Sequence, residues 1–62
     1  MKRRDFIKHL EKNNCHLLRE GAKHSVYQNI KTNKKTTVPR HSNLDKDLVN
    51  LICKQLEIAK PL

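Results

Sequence analysis

Turn formers and aromatic residues are scarce in this chain. Gly21 is the single glycine. Two prolines, one tyrosine, one phenylalanine and no tryptophan complete the short supply among 62 residues. No internal repeat, linker or low-complexity stretch interrupts it. Only two cysteines occur, Cys15 and Cys53, far apart and without a Cys-x-x-Cys pattern. That excludes the disulfide-dense frameworks of small secreted proteins. It also leaves Cys15, His16, His24 and Cys53 outside paired zinc-ligand spacing, so no metal site is expected. Two buried, reduced thiols in a cytosolic protein are expected, with a single disulfide as the alternative. No apolar run approaches the roughly 18–20 residues that span a bilayer. The basic start Met1-Lys2-Arg3-Arg4 lacks the apolar stretch of a signal peptide, so neither export nor membrane association is expected.

Length excludes more. The chain is expected to form one domain over residues 1–62. A domain this small buries only about 60% of its unfolded surface. It has no room for a cofactor domain or a deep pocket, so any catalysis must come from a few side chains on a shallow surface, without a small-molecule cofactor.

Acidic residues are the other shortage: 6 against 14 Lys and Arg. Residues 1–20 hold six basic and three acidic side chains, and residues 42–62 hold three of each. Between Gly21 and His41 stand Lys23, Lys31, Lys34, Lys35 and Arg40 and no acid at all. A basic field concentrated in this way points to a polyanionic partner.

Apolar spacing predicts the elements. Phe6, Ile7 and Leu10 mark a helix over residues 3–13, stopped by Asn13-Asn14. Residues 15–20 suit a short strand. Gly21 then marks a turn expected to need positive φ. Val26, Tyr27 and Ile30 give residues 24–30 strand character. A polar loop over residues 31–34 leads to a third strand over residues 35–38, which Pro39 ends or confines to an edge. Leu48, Val49, Ile52 and Leu56 line a helix over residues 45–57, capped by Asn43 or Asp45, with Pro61 barring its continuation. The order α-β-β-β-α predicts an α+β fold: a three-stranded antiparallel sheet with both helices on one face. That is the plan of the double-stranded-RNA-binding domain.

The second and third strands make a hairpin, and its register matters. If Val26 pairs with Val38, His24 lies opposite Arg40. If Tyr27 pairs with Val38, His24 lies opposite His41. Either brings a second phosphate-competent side chain within about 4.5–5.5 Å of His24 at Cβ. Sequence does not choose between them.

RNA supplies its own nucleophile, the 2′-hydroxyl. Cleavage needs a base, an acid and a cation for the phosphorane charge. Histidine exchanges protons near neutral pH, and lysine or arginine can hold phosphate. These requirements assign His24 as the general acid/base, Lys23 and Arg40 to the phosphate, and His41 as its partner. Lys34 and Lys35 add phosphate contacts. Tyr27 either stacks on a base or fills the sheet surface. A histidine near a turn in a basic protein is more often a plain surface residue than a catalyst. His9 and His16 receive no function. Ser25 and Ser42 lack an elbow motif, and neither cysteine sits in an activating context.

The run Gly21-Ala22-Lys23-His24-Ser25-Val26-Tyr27, the Val38-Pro39-Arg40-His41 run, the basic first helix and the closing Ile52-Cys53-Lys54-Gln55-Leu56 resemble the HicA-type (YcfA-like) toxins. These are mRNA interferases of bacterial toxin–antitoxin pairs. The resemblance covers nearly the whole chain. It implies a double-stranded-RNA-binding-domain-like fold, metal-independent cleavage of mRNA, a catalytic histidine falling on His24, and a HicB-type antitoxin that covers the active site. Many relatives have the histidine two residues after the glycine; here it comes three after. Two other readings compete: a non-catalytic RNA- or DNA-binding module on the same fold, and a small protein docking an acidic partner.

Overall fold

The computed structural model describes residues 1–61; Leu62, the last position of the expected domain, lies outside them. Helix α1 spans Arg3–Lys12, strand β1 Cys15–Glu20, β2 His24–Asn29, β3 Lys35–Pro39, and helix α2 Lys46–Leu56. The sheet is antiparallel in the order β1-β2-β3. This is the α+β arrangement that the apolar spacing predicts.

Both helices bury one stripe. Phe6 and Leu10, one turn apart, are the buried residues of α1. Val49, Ile52, Cys53 and Leu56 are those of α2. They meet Cys15, Tyr27 and Val38 from the sheet, with Leu44 from the connection before α2. Burying a large apolar side chain is worth roughly 1.5–3 kcal/mol, so this small cluster carries most of the favourable free energy. Cys15 and Cys53 are buried and free, so the disulfide alternative is not what forms. Burial pushes both thiols above the usual cysteine range.

The helix ends follow their local chemistry. Asn14 adopts left-handed geometry, φ 65°, just after α1. At α2, Asp45 rather than Asn43 is the cap, its Oδ1 accepting from the Leu48 amide at 2.7 Å. Asn43 instead bridges to Lys2, and the Arg3 amide donates to the Ser42 carbonyl at 2.9 Å. That pairing fixes the start of α1, which has no side-chain cap. α2 stops at Glu57, φ 58°, before Pro61 is reached. His9 has a structural partner: its Nε2 donates to the Ala59 carbonyl at 2.7 Å, tying the segment after α2 to α1.

In β2 the alternation is clean. Ser25, Tyr27 and Asn29 face the helices, 1%, 7% and 4% exposed. His24, Val26 and Gln28 face outward. Neither expected hairpin register forms. His24 lies opposite Pro39, Ser25 opposite Val38 and Val26 opposite Thr37. Pairing Val26 with Val38 would put an inward residue against an outward one. Pairing Tyr27 with Val38 would keep the face but move the turn one residue along the chain. Asn29 rules that out. Its Nδ2 donates to the Leu56 carbonyl at 2.8 Å, its Oδ1 accepts from the Lys31 amide at 2.9 Å, and its backbone closes on Lys34 and Asn33. The strand therefore ends at Asn29, and Ile30, 56% exposed, belongs to the turn.

β1 carries one extra residue. Leu17 pairs with Tyr27, but Arg19, not Leu18, is next in register, opposite Val26. Such a bulge shifts the alternation of the strand by one step. Glu20 consequently lands opposite Ser25, on the helix side.

Candidate functional site

His24 is the first residue of β2 and is exposed. The turn before it is closed by the Gly21 amide donating to the His24 carbonyl at 2.8 Å. Gly21 does not have positive φ. Its lack of a side chain matters for a different reason: a Cβ there would stand 3.0 Å from the His24 carbonyl oxygen, tighter than most such contacts, so the turn would have to give by a few tenths of an ångström.

A polar network holds this turn from the side of the helices. Arg40 donates from one terminal nitrogen to the Gly21 carbonyl at 2.6 Å and to Glu20 Oε1 at 2.9 Å. The same carboxylate oxygen accepts from the Ser25 hydroxyl at 2.5 Å. Ser25 Oγ accepts in turn from Arg3 at 2.9 Å, and Arg3 Nε donates to the Pro39 carbonyl at 2.8 Å. One carboxylate thus connects α1, β1, β2 and the residue after β3. The Ser25 hydrogen bond, and then Arg40, hold the Glu20 carboxyl below its ordinary range.

The structure sorts the residues expected to bind RNA. Lys23 is exposed and adjacent to His24. Arg40 is near, but its guanidinium is committed to Glu20 and Gly21. His41 is exposed beyond the end of β3 and outside the ladder. Lys35 lies opposite Gln28, four residues along β2 from His24, or roughly 13 Å at strand rise. Lys34 precedes β3 in the turn, so both lysines sit at the opposite end of the sheet. Tyr27 is a correction. It is 7% exposed within the core, so its ring fills the inner face and offers no platform for a base.

Arg3, Glu20 and Ser25 went unassigned from sequence. Glu20 directly precedes the acid-free stretch, which is the one available hint. Its pairing with Ser25 depends on the bulge. Among the described residues, no three of His, Cys, Asp and Glu converge as metal ligands. A shallow concavity of about 420 Å³, lined by Lys2, Arg3, Arg4, Ser42 and Asn43, shares Arg3 with the network.

The fold and this site define a small basic α+β protein that displays a histidine on a rigidly braced turn. Among protein families, residues 3–58 match the one described as the HicA toxin of bacterial toxin–antitoxin systems. The chain belongs to that family; it is the toxin of such a system, with an antitoxin as its partner. No curated protein and no solved structure matches it.

Proposed function

We propose that this toxin is a metal-independent endoribonuclease that cleaves mRNA, with His24 as general acid/base. The observation that carries this is the contrast between an exposed imidazole and the braced turn beneath it. A proton-transfer group needs access to substrate and a frame that does not move. The element order, which follows the plan of the double-stranded-RNA-binding domain, supports it too, as does the family.

The neutral imidazole takes the proton of the 2′-hydroxyl. The freed oxygen attacks the adjacent phosphorus, and the bond to the 5′ oxygen breaks. The imidazolium returns a proton to that leaving oxygen. Lys23, next to His24, stabilises charge on the phosphorane. Arg40 acts chiefly through the turn, and His41 stands by as a second proton carrier. A HicB-type antitoxin silences the toxin by covering His24, with a carboxylate against the cationic surface.

Purified His24→Ala should fold and bind RNA yet lose at least about a hundredfold in cleavage rate, the usual scale of general acid–base catalysis. Replacing the 2′-hydroxyl at the cut site with hydrogen should abolish cleavage by the native protein, and EDTA should leave it unchanged. Undiminished fragmentation by the variant would remove His24 from the mechanism.

One observation favours the second reading, a non-catalytic RNA- or DNA-binding module. Among the described residues no carboxylate hydrogen-bonds the His24 ring; Glu20 is turned to Ser25 and Arg40. In that case His24→Ala changes little and neither protein cuts.

A further inference from the structure

Arg3 and one terminal nitrogen of Arg40 are hydrogen-bonded within the protein, Lys23 is assigned to the phosphorane, and the bulge in β1 provides a further cation for the phosphate beside the cut. Were the ladder uninterrupted after Leu17–Tyr27, Arg19 would fall opposite Ser25 on the helix side, next to the like charge of Arg3. Glu20 would fall opposite His24. The extra residue reverses both outcomes. Arg19 pairs with Val26 on the open face, and Glu20 pairs with Ser25 beneath it. Val26 is two residues from His24 on the same face, so Arg19 is the diagonal cross-strand neighbour of His24. Such neighbours lie about 7–8 Å apart, within reach of a long side chain.

The charge on that face is one-sided. His16 opposite Gln28, Arg19 opposite Val26 and Lys35 opposite Gln28 bring cations or a histidine to it. None of the residues that the ladder puts there is Asp or Glu. Arg19 is exposed, and among the described residues its side chain makes no hydrogen bond or ion pair. An unpaired guanidinium beside the reactive group, on a face without acids, suits a phosphodiester and repels no part of it.

We infer that the open face of the sheet is the track for single-stranded RNA, and that Arg19 grips the phosphate next to the one that the 2′-oxygen attacks beside His24. This rests on the nuclease reading of His24. Arg19 is thus the phosphate contact that sequence assigned to Arg40, and His16 marks the continuation of the track along β1.

The test is RNA binding by the His24→Ala protein, which separates grip from cleavage. An oligoribonucleotide is titrated over a salt series against His24→Ala alone and with Arg19→Gln, Arg19→Lys or Arg40→Gln added. Arg19→Gln should lower affinity about tenfold and flatten the slope of log K against log salt by about 0.7, one single-strand phosphate contact. Arg19→Lys should restore the slope. Arg40→Gln should lower the melting temperature and leave the slope as it was. An unchanged slope for Arg19→Gln, a slope lost with Arg40→Gln instead, or no RNA binding by the His24→Ala parent overturns the assignment. Cleavage of the same RNA by the His24→Ala parent would sink the His24 reading by itself, while leaving the Arg19 result to stand or fall on its slope.

Discussion

Glu20 illustrates how much one side chain can organise. It lies just before the acid-free stretch, yet it joins Ser25 and Arg40 and so holds the turn under His24. Its folded-state pKa is lowered, first by the Ser25 hydroxyl and then by Arg40. The sign follows from linkage. The stabilisation is fully present above the unfolded glutamate value, about 4.3, and is lost as pH falls through the lower folded value. Urea denaturation of the native protein should therefore show stability declining below about pH 4.3. The difference between it and Glu20→Gln should shrink over the same interval. A gap that stays constant from pH 6 down to acid would mean that Glu20 ionisation contributes nothing to the brace. The exposure of Glu20 makes this effect small and sensitive to salt.

At the scale of elements, two short irregularities decide what the strands can do. The bulge after Leu17 sets which side of the sheet carries Arg19 and which carries Glu20. The hairpin after Asn29 sets which residue faces His24. Asn29 governs the second, since one buried side chain satisfies the last carbonyl of α2 and the amide of Lys31 together. Replacing it with alanine leaves that carbonyl without its partner inside the protein. Asn29→Ala should cost about 1–3 kcal/mol, measured by denaturation, and should loosen amide-exchange protection at the β2–β3 turn. Stability within a few tenths of a kcal/mol of the native protein would show that the turn holds its register without the side chain.

At the scale of the molecule, α1 and α2 cover one face of the sheet and leave the other open. The covered side holds every large buried apolar residue and both thiols. With their pKa values raised by burial, Cys15 and Cys53 carry little thiolate. Neither should react with iodoacetamide at neutral pH in the native protein, and both should react in urea, as read by mass. Rapid labelling of the native chain would show that the core opens far more often than its packing implies.

Element order, helix limits, the buried thiols and the place of His24 at the start of a strand were legible in the amino-acid sequence, because each depends on neighbours within a turn or two. Apolar periodicity reports helices, Asn14 and Asp45 report their ends, and β-branched content reports β2. The face of Tyr27, the partner of His24, the reason for Gly21 and the commitment of Arg40 were decided only in three dimensions. Each depends on residues distant in the chain: Asn29 against Leu56, Gly21 against the carbonyl of His24 and the guanidinium of Arg40, and Glu20 against Arg40. Strand alternation has a period of two, so a single inserted residue exchanges the faces while leaving composition almost unchanged. The local pattern therefore identified the chemistry available, and long-range pairing selected which of those groups could meet.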